Sequence, residues 1–189
     1  NTISVSSDDL NAVLKISVKN TGGYKGKEVV QVYLEAPQGK LGKAARVLCG
    51  YEKTKELMPG EEQILEIRIN LCDFASYDDS GITEHRFCYI LEKGVYSLCV
   101  GSDVRSAKCV WDKKLEEDIV VEKLTQALAP VQEYERMKPV SAENGYAVSF
   151  EKVPLNEVDE EKRRLDAIPD EIPQTGDKGI KLSDVVCGK

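Results

Sequence analysis

Residues 27–36, KEVVQVYLEA, decide how this chain folds. Successive side chains of a β-strand point to opposite faces, so a strand with one solvated face alternates apolar and polar residues. Here one face carries Val30, Val32 and Leu34, and the other carries Val29, Gln31 and Tyr33. Because both faces are largely apolar, the stretch predicts a strand in the middle of a sheet.

The second face of this strand, formed by Val29, Gln31 and Tyr33, has two interpretations. It belongs either to a central strand whose outer side is partly covered, or to a surface that docks onto another domain. We call these three residues the candidate interdomain face. They are the site residues that the sequence predicts.

The rest of residues 2–112 repeats short strand-like segments separated by turn signals. These segments are residues 2–6, 11–19, 27–36, 46–53, 62–70, 86–91, 95–101 and 106–111. Glu92-Lys93-Gly94 predicts a hairpin that joins 86–91 to 95–101. The predicted core consists of Leu14, Ile16, Val18, Leu65, Ile67, Tyr96, Leu98 and Val100. Short strands with turns roughly every 8–12 residues indicate an all-β, immunoglobulin-like antiparallel sandwich, and an up-and-down barrel is the alternative.

Several motifs follow one another in a fixed order along these strands. They are Asn20-Thr21-Gly22, GKEVVQVY at 26–33, LCGYEK at 48–53, LMPGE at 57–61, DFASYD at 73–78 and GVYSLCVG at 94–101. In this order and spacing they resemble the fibronectin type III-like domain of family 3 glycoside hydrolases, over roughly residues 2–112. The resemblance implies an accessory β-sandwich from a retaining β-glucosidase.

The same resemblance implies that this chain carries no catalytic residue. In the family, the nucleophilic aspartate lies in a (β/α)8-barrel domain, and the acid/base lies in a barrel loop or a second α/β domain. No cofactor or metal is implied. The implied partners are the catalytic domains of the parent enzyme from which this chain would derive. A sugar substrate would be bound only by those domains. The alternatives are a carbohydrate-binding module, using Tyr24, Tyr51, Tyr77 or Trp111 as aromatic platforms, and a stand-alone β-sandwich interaction domain.

Residues 113–189 differ in composition, since five of the seven prolines fall there. We expect this extension to pack back on the sandwich and then lead to a missing catalytic barrel domain. The pattern predicts an extended segment at 119–121, a short helix at 130–138, an edge strand at 146–153 and a helix at 157–167 capped by Asn156. Residues 175–185, TGDKGIKLSDV, resemble the lead-in to the barrel in the family variant with reversed domain order.

The net charge and the lengths of the apolar runs argue against nucleic acid and membrane as partners. A net charge of −7 argues against nucleic acid, and no run approaches the ~18 apolar residues of a membrane span. Asp78-Asp79 is interpreted as a pair of solvated turn residues, and His85 as a loop residue with a structural or solvent-exposed role. Since the chain starts without Met inside a strand, we expect a fragment without its native N-terminus.

The six cysteines include no CxxC pair, and there is one histidine, which argues against zinc. Cys88, Cys99 and Cys109 fall in strand-like segments, where a reduced thiol acts as a small apolar group. We therefore expect all six thiols to be free and the protein to be cytoplasmic and bacterial.

Overall fold

The computed structural model describes residues 2–125, 129–143, 145–155, 159, 161, 164 and 165. The strands are β1 Thr2–Asp8, β2 Asn11–Lys19, β3 Val29–Glu35, β4 Val47–Lys53, β5 Glu62–Asn70, β6 Ser76–Tyr77, β7 Cys88–Leu91, β8 Gly94–Gly101, β9 Lys108–Leu115, β10 Ile119–Lys123, β11 Glu135–Ala142 and β12 Gly145–Lys152. A short 3-10 turn, Leu71–Phe74, follows β5.

Two antiparallel sheets form the sandwich that the sequence predicts. One sheet has the order β1-β2-β5 and the other β4-β3-β8-β9, so β3 is an interior strand as its two apolar faces indicated. Register is regular where alternation is cleanest: β2 pairs with β5 from Asn11↔Asn70 to Lys19↔Glu62. The all-β sandwich prediction is confirmed.

The core lies between the two sheets, on the predicted faces. Its buried members include Leu14, Ile16, Val32, Leu34, Leu65, Ile67, Tyr96 and Leu98. Val18 and Val100, also predicted, are partly buried at its margin. Gly50 in β4 allows a close approach, because a Cβ there would stand 2.7 Å from Ile69 Cδ1 and 2.9 Å from Ile67 Cγ2.

The predicted hairpin across residues 92–94 is wrong. β7 pairs with β6 and β10, whereas β8 pairs with β3 and β9. The chain passes from one sheet to another at Glu92, which is buried and ion-paired to Lys43 at 3.0 Å. A turn signal at Gly94 therefore marks a change of sheet, because the buried Glu92 contact overrides local turn preference.

Strands of the extension take part in two small sheets beside the sandwich. β10 completes the sheet β10-β7-β6, which confirms the extended segment at 119–121, and β11 pairs with β12 in a hairpin. The helix predicted at 130–138 is wrong, since Glu135–Ala142 is a strand in register with Gly145–Lys152. Cross-strand pairing outweighs the proline that suggested a helix start, and Pro139 is tolerated because β11 is an edge strand.

Most of the remaining extension, including Asn156 and most of the helix predicted at 157–167, lies outside the described residues, as do residues 175–185. Among the described residues, no helix is long and apolar enough to cross a membrane.

The prediction that all six thiols are free is also wrong. Cys99 and Cys109 are directly opposite each other on β8 and β9 and form a disulfide. A β-bulge between Leu98 and Cys99 shifts the register there, so the pairing is not visible in the sequence pattern. Cys49, Cys72 and Cys88 are free. The cysteines therefore no longer support the cytoplasmic expectation.

Candidate interaction site

The candidate interdomain face lies on the outer side of the four-stranded sheet. Val29 and Gln31 are partly exposed, while Tyr33 is buried in a small cluster with Cys99 and Ala107. Tyr33 donates its hydroxyl to the Gln31 amide oxygen. The Gln31 amide nitrogen in turn donates to the Ser102 carbonyl at 2.8 Å. The loop between β8 and β9 thus covers part of this face from within the chain.

The neighbouring strand β4 extends this outer face with exposed apolar side chains. Leu48 lies opposite Tyr33 and Tyr51 lies opposite Gln31, so all four share one side of the sheet. Leu48 and Tyr51 are both exposed. Both lie in the predicted strand-like segment 46–53, and the sequence pattern did not assign them to this surface.

Asp78 organises the loop between β6 and β7. The interpretation of Asp78 as a solvated turn residue is wrong, because its side chain is 0% exposed. One carboxylate oxygen accepts from the backbone N–H groups of Ser80, Gly81 and Ile82, and the other accepts from Thr83 N and Thr83 Oγ1. The buried charge is satisfied by these donors, and the loop is held in one conformation beside the extension.

Asp79, the next residue, connects that loop to the extension. Its carboxylate accepts from Arg136 Nη2 at 2.8 Å and from the Tyr134 hydroxyl at 2.6 Å. Arg136 also donates to the Tyr134 hydroxyl at 3.1 Å. Burial and the hydrogen bond to Asp79 raise the pKa of Tyr134. Asp79 is thus an anchor rather than a solvated turn residue, and only the fold reveals its partners.

Lys138 gives the hairpin β11–β12 a second anchor on the sandwich. Its ammonium group donates to the Gly39 carbonyl at 3.0 Å and to Glu151 at 2.8 Å, which is across the hairpin. Hydrogen bonding and the positive charge of Lys138 lower the pKa of Glu151. His85, by contrast, is partly exposed and lies 3.9 Å from Asp118.

One group of three potential metal ligands comes together within the described part of the chain, namely Glu35, Cys99 and Cys109. The sulfurs of Cys99 and Cys109 are bonded to each other in the disulfide, so they are not available as thiolate ligands.

The four aromatic residues considered as sugar platforms have different environments. Trp111 packs against the core. The Tyr77 ring lies 5.3 Å from that of Tyr89 in a tilted arrangement, and its hydroxyl donates to the Thr125 carbonyl. Tyr24 and Tyr51 are exposed, in the loop after β2 and on β4 respectively. A continuous aromatic strip across all four is therefore not formed.

Comparisons with known proteins agree with the sandwich. A family model of the fibronectin type III-like domain matches residues 28–104, from the start of β3 to the loop after β8. The seven-stranded sandwich is therefore a domain of the fibronectin type III-like class.

Relatives extend the match beyond the sandwich. The chain is 54% identical to a β-glucosidase of Ruminococcus albus over 181 residues, which is 96% of this chain and 19% of that protein. A crystal structure of a β-glucosidase from Paenibacillus barengoltzii is 39% identical, with a TM-score of 0.80 over 100% of this chain and 22% of the other. β-Glucosidase 3B from Thermotoga neapolitana is 32% identical, with a TM-score of 0.54 over 63% of this chain and 16% of the other.

The chain therefore contains a fibronectin type III-like domain, and over nearly its whole length it is similar to one part of family 3 β-glucosidases. It spans about one fifth of the length of the Ruminococcus and Paenibacillus proteins.

Proposed function

We propose that this chain is a non-catalytic accessory domain that braces the catalytic domains of a β-glucosidase. The observation that carries the proposal is the match of 96% of this chain to 19% of the Ruminococcus albus β-glucosidase. Nearly the whole chain, extension included, is thus similar to a minor part of an enzyme. Asp78 holds its own loop together, and Asp79 and Lys138 bind the extension to the rest of the chain.

The proposed parent hydrolyses terminal β-glucosides with retention of configuration. Retaining glycosidases need two carboxyl groups about 5–5.5 Å apart on either side of the scissile bond. In the proposal both are supplied outside these 189 residues. The proposed domain order places this sandwich ahead of the barrel, as the sequence of residues 175–185 suggests.

Activity measurements separate the accessory role from a catalytic one. The purified 189-residue chain is expected not to hydrolyse an aryl β-glucoside, whereas the complete polypeptide encoded by the parent reading frame does so. The stereochemistry of the first product, followed by NMR, is expected to be that of retention. Hydrolysis by the chain itself, surviving removal of contaminating enzyme, would refute the proposal.

A pull-down on insoluble polysaccharide tests the carbohydrate-binding alternative. Binding by the chain that disappears in Tyr24→Ala or Tyr51→Ala would favour that alternative, because exposed aromatic rings stack on sugars. An absence of binding is expected from the accessory role.

A further inference from the structure

The hairpin β11–β12 has one strongly apolar face. Directly opposed residues share a face, and the pairs here include Met137↔Phe150 and Pro139↔Val148. Tyr146 follows on the same side of β12. We call these five residues the apolar hairpin face. Met137 is 63% exposed, Val148 61% and Phe150 64%, so no described part of the chain covers them.

The opposite face of the hairpin carries the polar side chains that fix it to the sandwich. Arg136 bonds to Asp79, and Lys138 bonds to both Gly39 and Glu151. Arg136 and Lys138 alternate with Met137 along β11, so they point the other way. The anchors thus hold the hairpin in place while its apolar side faces outward. A preorganised surface of this kind loses little conformational entropy when a partner binds.

We infer that the apolar hairpin face docks onto an apolar surface of the catalytic region of the same polypeptide. The inference rests on the proposed function. A span of 181 residues in a chain of 189 must include residues 9–181, and therefore the whole hairpin. The hairpin is thus shared with a β-glucosidase in which about four fifths of the chain lies outside the match. That remainder is available in the relative to cover the face.

The size of the face favours a covalently linked partner over a second copy of this chain. A stable interface between separate proteins uses roughly 20–30 residues a side, whereas this face has five. A partner on the same polypeptide is present at a high effective concentration, so a smaller contact suffices. Exposed contiguous apolar side chains of this kind mark contact surfaces in soluble proteins.

The two methionines of this chain supply a test that needs no substitution. Met137 lies on the apolar hairpin face, and Met58 lies in the turn before β5 with a similar exposure, 57% against 63%. Both are oxidised to the sulfoxide by hydrogen peroxide, and access to the sulfur controls the rate. Tryptic peptides 56–68 and 137–152 report them separately by mass spectrometry.

The oxidation rates are compared between the 189-residue chain and the complete parent polypeptide. We expect Met137 to oxidise on the order of tenfold more slowly in the parent, with Met58 changed less than about twofold. Equal rates for Met137 in the two proteins would overturn the inference. Protection of Met137 in the 189-residue chain that increases with protein concentration would also overturn it, in favour of self-association.

The outcome separates the two proposals. A parent reading frame without catalytic domains would refute the proposed function itself. An active parent β-glucosidase with a freely oxidised Met137 would leave the accessory function standing and refute only the docking of the apolar hairpin face.

Discussion

Lys43 and Glu92 form an ion pair of 3.0 Å in which both side chains are buried. Glu92 also accepts from the backbone N–H of Lys40 at 2.6 Å. The pair ties the loop after β3 to the point where the chain leaves β7 for β8. Because a buried carboxylate is costly without its partners, the pair fixes the path of the chain there.

Replacing Lys43 by Met should destabilise the protein by about 3 kcal/mol, since it leaves the Glu92 carboxylate buried without its cation. The measurement is the urea unfolding midpoint. Lys25→Met is the control, because its ion pair with Glu56 is largely exposed and exposed pairs contribute at most about 1 kcal/mol. Equal losses in the two variants would show that Lys43 does not neutralise a buried charge.

Leu65→Ala should cost about 2–5 kcal/mol, because it removes a buried side chain and leaves a cavity between the sheets. Leu65 is 3% exposed, whereas the preceding residue Ile64 is 59% exposed on the other side of β5. Ile64→Ala is therefore the matched control and should change the free energy of unfolding by less than about 1 kcal/mol. A reversed order would contradict the assigned strand faces.

Asp78→Ala should cost about 3 kcal/mol, because the buried backbone N–H of Thr83 and the partly buried N–H groups of Gly81 and Ile82 lose their acceptor. Asp103 offers a comparison, since it also accepts from two backbone N–H groups but in an exposed loop. Water can replace the carboxylate in Asp103→Ala, so that loss should be small. Chemical denaturation measures both, and similar values would contradict the anchoring role of Asp78.

Tyr134 predicts a loss of stability at high pH. Burial and the bond to Asp79 raise its pKa above the usual value of about 10. The stabilising contribution of the neutral Tyr134 hydroxyl is therefore fully present below about pH 10. It is lost as the pH rises through the raised pKa of Tyr134, because a phenolate would then face the Asp79 carboxylate. Over this pH range the free energy of unfolding of the unsubstituted 189-residue chain should fall more steeply than that of its Tyr134→Phe variant. Parallel curves would exclude the linkage.

The Cys99–Cys109 disulfide predicts a specific cross-linked peptide. Trypsin without reductant should release residues 94–105 joined to residues 109–113, and a reducing agent should separate them. Alkylation of freshly purified protein before digestion controls for later oxidation. Recovery of both peptides in fully alkylated form would show that the two thiols are free in solution.

The alternation of apolar and polar residues predicted the sandwich well, because successive side chains in β2 and β5 face the core and the solvent in turn. The burial of Leu14 and Leu65 follows directly from this alternation. The errors occur where a distant contact decides the local conformation. Glu92 resembles a turn residue until Lys43 is placed beside it, and Pro130 suggests a helix until β12 is seen to pair with β11.

The contact surfaces were less predictable than the core. Asp79 is one of two adjacent acidic residues in sequence, and its partner Arg136 is 57 residues away. The alternation at 146–153 was recognised, but the apolar hairpin face also needs the register that sets Met137 beside Phe150. The candidate interdomain face remains a prediction, with Tyr33 buried beneath the chain's own loop.

The pairing of β10 with β7 sets the smallest piece of this chain that could be transplanted into another protein. β7 is flanked by the two-residue strand β6 on one side and by β10 on the other. A graft ending at Asp112 would truncate β9 and leave β7 with an open edge, which invites pairing with strands of other molecules. A graft that runs through Lys152 keeps β10 paired with β7 and also includes the anchored hairpin β11–β12. Transfer of this domain to another protein therefore requires the extension as much as the sandwich.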